Sequence, residues 1–94
     1  MKEMLVQYKK WALKFIKKNQ HRYPKKKIDA LLILAVKKIL LNSNVWVDVL
    51  ALKWEKELWR IRSWDVRIVF SMDKEGNIVV LSVEHIDRRW NIYK

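Results

Sequence analysis

Apolar and polar positions recur along this chain with two periods, helical in the first half and strand-like in the last third. Met4 to Tyr8 is a short apolar run that predicts a strand. From Lys9 the spacing turns helical: Trp11, Ala12, Phe15 and Ile16 share one side, with Lys10, Lys14, Lys17, Lys18 and His21 on the other. The polar cluster Asn19 to Arg22, followed by Pro24, ends that helix, and Pro24 suits the first turn of the next, where a missing N–H costs nothing. The second helix is predicted from about Pro24 to Leu41. Ile28, Leu31, Leu32, Ala35 and Ile39 form one face, yet Ala30, Ile33, Leu34, Val36 and Leu41 leave little polar surface. A helix apolar nearly all round is covered on more than one side. Either it lies between a sheet and the first helix, or it offers a face to a partner chain. Asn42, Ser43 and Asn44 are its stop signal.

Val45 to Lys56 has no clear period, but a structureless stretch of that length is rare in a compact domain. The alternation of Val45, Val47 and Val49 predicts an extended segment along the body. Glu57 to Arg62 reads as a strand, Ser63 to Asp65 as a turn and Val66 to Met72 as a second strand. Asp73 to Asn77 carries turn chemistry, with Gly76 as the residue needing positive φ. Ile78 to Val83 is an almost continuously apolar third strand, which predicts an interior place in the sheet. The order β-α-α-β-β-β, with two N-terminal helices on one face of a mainly antiparallel sheet, makes the expected class α+β.

Composition narrows what such a fold can do. Ninety-four residues allow a single domain, 1–94. The chain has no cysteine, which excludes disulfides and cysteine-based zinc sites, and its two histidines, His21 and His85, are not at metal-ligand spacing. No metal or other cofactor is expected, nor is a small-molecule ligand. No apolar run approaches the roughly 18 residues of a membrane span, and MKEMLVQYKK has no leader-like apolar stretch, so the expected address is the cytoplasm, without membrane contact. Twenty-one basic residues face ten acidic ones, for a net charge of +11. That surplus points to phosphate polyanions or acidic proteins as partners. A merely soluble Lys-rich surface is the plainer alternative, but such surfaces usually balance lysine with glutamate.

Strand periodicity places the charge. In Leu58-Trp59-Arg60-Ile61-Arg62 both arginines point to one face, and Arg67, Val69 and Ser71 share a face on the next strand. With a three-residue hairpin turn, Arg67 lies beside Arg60 and Arg62. A wet sheet face is the bland reading of two such arginines. Three on one strand pair, with no carboxylate read opposite them, repel one another unless an anion relieves the charge, so the expectation is a phosphate site. The segment after the last strand, Glu84 to Lys94, holds His85, Arg88, Arg89, Trp90 and Tyr93, groups that grip single-stranded RNA by stacking and by phosphate contacts. Trp90 and Ile92 could equally pin this segment to the core. The lysine runs at Lys9, Lys17 and Lys25 read as solvated faces that also suit a non-specific hold on a large RNA.

Leu58 to Phe70, Leu-Trp-Arg-Ile-Arg-Ser-Trp-Asp-Val-Arg-Ile-Val-Phe, resembles the core pattern of the RelE/ParE toxin superfamily, L-Y-R-I-R-x-G-D-Y-R-V-I-Y. Asp73 to Val83 resembles its next turn and strand, and His85 with Tyr93 its closing H-R-x-x-x-Y segment. Val6 to Lys18 is similar to its first strand and helix, and Asp48 to Lys53 to the segment D-V-K-K-L-K before the hairpin. The resemblance implies a RelE-like fold and, for the RelE-type branch, a toxin of a type II toxin–antitoxin system. Such a toxin enters the ribosomal A site and cuts mRNA without a metal, the 2′-hydroxyl attacking the adjacent phosphate.

By position the resemblance makes Arg60, Arg62 and Arg67 the phosphate-holding residues and Tyr93 the tyrosine that orients the RNA. His85 and Arg88 complete the catalytic set, with Arg89, Trp90, Lys94 and Lys53 as RNA contacts. Guanidinium stays protonated and is a poor general base, so His85, the nearby side chain of a type that titrates near neutrality, is the expected proton carrier. Two departures bear on this. Trp64 stands where the family has glycine, and Ile86 follows His85 where arginine is common. The implied partners are a cognate acidic antitoxin of the RelB kind, the ribosome and mRNA. The alternatives are a ParE-type inhibitor of DNA gyrase without nuclease activity, or a member that binds RNA or antitoxin but has lost catalysis; Tyr93 and Arg88-Arg89 favour the RelE branch.

Overall fold

Valine, isoleucine, tryptophan and phenylalanine crowd the C-terminal third, and there the chain is sheet. The computed structural model describes residues 3–42, 47–52, 58–63 and 66–88. Within them the order is β1 (Glu3–Tyr8), α1 (Lys10–Lys18), α2 (Lys25–Leu41), β2 (Asp48–Ala51), β3 (Leu58–Ser63), β4 (Val66–Glu75) and β5 (Ile78–Arg88). The strands form one sheet in the order β1-β5-β4-β3-β2. Its β1–β5 pair is parallel and the other three are antiparallel, so the sheet is mixed and the fold is α+β.

Several boundaries differ from expectation, three of them in the region from β2 to β4, each because unpaired backbone found a partner. The segment read only as extended contains β2, which pairs with β3 and sets Val49 opposite Ile61. Pairing continues past it through Leu52 N–H to the Leu58 carbonyl at 3.0 Å. Ser63 belongs to β3, not to the turn, and pairs with Val66. Asp73, Lys74 and Glu75 belong to β4, leaving Gly76 and Asn77 as the hairpin turn. Gly76 has φ +60 while Asn77 does not share the positive sign, the pattern of a type II′ turn, which wants glycine in its first central position.

One face of the sheet carries the core. Ile61, Val66, Ile68, Phe70, Met72, Val79, Leu81, Val83 and Ile86 are buried there, with Met4, Val6 and Tyr8 of β1 packed beside them. Each such side chain stabilises the fold by about 1.5–3 kcal/mol. The helices supply Ala12 and Ile16 from α1 and Ile28, Leu31, Leu32 and Ala35 from α2. α1 packs over β5 and α2 reaches β2, so the helices share the sheet face and α2 is not sandwiched between sheet and α1. Its remaining apolar surface, Ile33 and Leu41, is exposed. Pro24 precedes the helix as its N-cap, and Asn42 ends it in the left-handed region at φ 52.

A polar contact fixes the start of α2 to the sheet. The Tyr8 hydroxyl donates to Asp29 Oδ1, and Lys25 Nζ lies 3.2 Å from Asp29 Oδ2. Burial, and then the Asp29 carboxylate, raise the Tyr8 phenol well above its ordinary value. The folded chain therefore keeps this proton at a pH where the unfolded chain releases it. Tyr8 contributes its full stability below about pH 10, and stability falls as pH rises beyond that. Urea unfolding at pH 9 and pH 11 should show a larger loss for wild type than for Tyr8→Phe; equal losses would show that Tyr8 does not titrate between the two states.

Candidate functional site

The face of the sheet away from the helices collects the charge. Alternation on β3 sends Ile61 inward and Arg60 and Arg62 outward, and on β4 it sends Ile68 inward and Arg67 outward. Register then sets them side by side. Arg62 pairs directly with Arg67, and Arg60 with Val69.

On β5 the alternation breaks. Val79, Leu81 and Val83 are buried at every second position, but the next buried residue is Ile86. Phe70 pairs with Val83 and Val69 with His85, so Glu84 has no partner on β4. This is a bulge, one residue too many on one strand. Strict alternation would bury His85 and expose Ile86. The bulge does the reverse: Ile86 is 3% exposed, and His85 and Asp87 lie on the arginine face. The apolar phase shift between Val83 and Ile86 is the sequence signal for it, and it shows that the segment from Glu84 to Arg88 is strand and not tail.

Two rows of side chains cross the face, on strands about 4.8 Å apart. One runs Asp48, Arg62, Arg67, Asp87; the other runs Leu50, Arg60, Val69, His85. Alternation alone predicts no carboxylate beside the arginines, and among the described residues Asp48 and Asp87 are present there. Asp48 Oδ2 accepts from Arg62 Nε at 3.1 Å and Nη2 at 3.0 Å, and lies 3.8 Å from Arg60 Nη1. Asp87 turns the other way. Its Oδ2 lies 3.5 Å from His85 Nε2, and its Oδ1 accepts the Arg88 backbone N–H at 2.9 Å. Arg67 Nε is buried and has no hydrogen-bond acceptor among the described residues. A buried donor without an acceptor, directly across from a like charge, is costly unless an anion arrives. The Arg60 side chain is 11% exposed, so its charge is little screened.

The structure thus brings Arg60, Arg62, Arg67 and His85 together. It does not bring Arg88 with them: Arg88 pairs with the buried Val66 and so projects to the helix-covered face. The bulge that turns His85 outward turns Arg88 inward. Tyr93, Arg89, Trp90, Lys94 and Lys53 lie outside the described residues. Among the described residues no helix is long and apolar enough to cross a membrane.

No family model matches the chain, and no curated protein does so. Among solved structures, a chain of the RelB–RelE antitoxin–toxin complex from Methanococcus jannaschii aligns with 94% of this chain and 95% of its own length, at 19% identity and a TM-score of 0.49. A likeness of that size assigns no role to any residue here.

The bulge makes a prediction about stability. Ile86→Ala should cost about 2–5 kcal/mol, as for other buried large-to-small changes, and His85→Ala less than about 0.5 kcal/mol, as on open surface. Urea denaturation measures both, and the reverse order would mean that β5 alternates without interruption.

Proposed function

We propose that this chain is a toxin of a type II toxin–antitoxin system, of the RelE kind, that cleaves mRNA on the ribosome. The observation that carries the reading is the set of three arginines and one imidazole on a single sheet face, with the buried Arg67 Nε donor lacking an acceptor among the described residues. The resemblance of Leu58 to Phe70 to the superfamily pattern supplies the reaction type.

In this reading Arg62 and Arg67 flank the scissile phosphate and Arg60 faces it from the adjoining row. Their fixed charge acts most strongly on the negative charge that builds on the phosphoryl oxygens as the O2′–P bond forms and the P–O5′ bond breaks. Neutral His85 accepts the 2′-hydroxyl proton, and the departing 5′-oxygen takes a proton from water. With Arg88 on the other face, the described residues offer no second acid for that step. Tyr93 remains the proposed residue for orienting a base. The proposed antitoxin is an acidic amphipathic segment. A groove between α2 and the sheet suits it, lined by Met4, Ile33, Val36, Leu40, Leu41 and Val79 and flanked by Lys37 and Lys74.

The test is single-turnover cleavage of mRNA on programmed ribosomes. Arg67→Ala should slow cleavage by about 10²–10³, with ribosome binding nearly intact because the helical lysines carry much of the non-specific affinity. His85→Ala should slow cleavage by about 10²–10⁴, the usual contribution of a general base. Full activity of Arg67→Ala removes the arginines from the site. Inhibition of gyrase with no RNA cleavage would move the chain to the ParE branch.

A further inference from the structure

The helical period of α1 sets Trp11 on the side of Ala12, Phe15 and Ile16. The structure buries Ala12 and Ile16 and half-buries Phe15, but it leaves Trp11 67% exposed. At about 100° of rotation per residue, Phe15 lies between Trp11 and the buried pair, so Trp11 falls outside the arc that meets the body. There its neighbours at helical spacing are cations. Lys14 and Lys18 follow it on the same side of the helix, and Lys14 Nζ sits over the indole, 4.7 Å from the ring centroid. Lys10 and Lys17 are also exposed, and α1 contains no acidic residue. Among the described residues no carboxylate pairs with any of these lysines.

We propose that Trp11 is a stacking platform for an unpaired RNA base, with Lys14 and Lys18 holding the phosphates beside it. A lone exposed aliphatic side chain is ordinary on a protein surface. An exposed indole among ammonium groups is different: it joins the two means by which single strands are held without base selection, a π-face for the base and positive charge for the backbone. The flexible four-carbon stem of Lys14 lets its ammonium pass from the ring to a phosphate next to it. Lipid is the other partner of basic helices that carry tryptophan. A helix lying on a membrane turns a continuous apolar face to it, and α1 presses that face against the core. Leu13, its other exposed large apolar side chain, stands two positions from Trp11 and so points to the far side of the helix. A single ring with cations around it fits one base. Because α1 packs over β5 on the sheet face opposite the arginines, this base is not one that flanks a phosphate in the arginine row. It belongs to a second stretch of RNA, unpaired because its face must be free to stack. The inference goes beyond the cleavage reading and does not depend on it.

The experiment labels the full chain with fluorotryptophan, whose six ring signals are read by fluorine magnetic resonance. Trp11 is assigned as the signal absent from Trp11→Phe. Two probes of equal charge are titrated at fixed ionic strength, a 2′-O-methyl oligoadenylate hexamer and the same hexamer without bases. The Trp11 signal should shift with oligoadenylate and not with the abasic strand. In an Arg67→Gln background, which removes a donor from the sheet face, that shift should persist. In the same background Trp11→Ala should weaken oligoadenylate binding about 5- to 150-fold, the range for one stacked base, and leave abasic binding unchanged. Trp11→Phe keeps a ring and should lose less. Equal shifts with both probes would reduce the site to charge alone and overturn the inference, as would a Trp11 signal that moves with neither. A signal that moves with vesicles of anionic phospholipid and not with oligoadenylate would overturn it in favour of a membrane surface. Loss of the response in Arg67→Gln would overturn the separate site, since the shift would then depend on the arginine face.

Discussion

Side chains alternate across a sheet with a period of two, so a residue given to one face is denied to the other. In this chain that constraint joins the core to the cationic face. Helices α1 and α2 cover one side and demand apolar residues there, and every residue between them on β3 and β4 must face away. Ile61, Ser63, Val66, Ile68, Phe70 and Met72 are buried on the inward face, and Arg60, Arg62, Arg67 and Val69 are among those that face away. On β5 the same demand would bury His85. The extra residue Glu84 absorbs the conflict and lets Ile86 fill the core while His85 and Asp87 join the arginines. Burial of one isoleucine and presentation of one imidazole are thus the same structural event.

The electrostatics follow from this geometry. Arg62 and Arg67 face each other across β3 and β4, an arrangement that costs energy in an empty site. Asp48 relieves part of it by engaging Arg62, and Asp87 does less because it is turned toward His85. Among the described residues, the buried Arg67 Nε donor is left without an acceptor. The helical lysines lie on the other layer of the molecule and spread charge without converging on a point. A diffuse surface of that kind raises affinity for any polyanion, whereas the arginine row can place one phosphate.

Much of the fold was legible in the chain. The helices α1 and α2, the strands β1, β3 and β4, and the need for glycine at position 76 all follow from period and turn chemistry. The convergence of Arg60, Arg62 and Arg67 also follows from alternation across one hairpin, although Ser63 proved to be strand and not turn. What was not legible has a common cause: it depends on pairing between segments that local pattern does not specify. β2 is four residues long, with three of them exposed and Val49 half-buried, so its alternation is weak and only its partner β3 defines it. Asp48 was therefore not placed beside Arg62. The bulge was written in the shift from Val83 to Ile86, but a single displaced apolar residue is easily read as the end of a strand. That reading put Arg88 and His85 together in a segment after the last strand, and the continuing strand separates them onto opposite faces.

The central claim is that Arg67 and His85 meet an RNA phosphate on the sheet face away from the helices. The most direct measurement is nuclear magnetic resonance of the arginine Nε–Hε and histidine side-chain signals during titration with a short 2′-O-methyl RNA, which cannot be cleaved at its 2′ positions. The account predicts that the Arg67 Nε–Hε signal shifts strongly and exchanges more slowly with water as its donor gains an acceptor, with Arg62 and His85 shifting at the same RNA concentration. Shifts confined to the helical lysines and Arg22, with Arg67 and His85 unmoved, would contradict it.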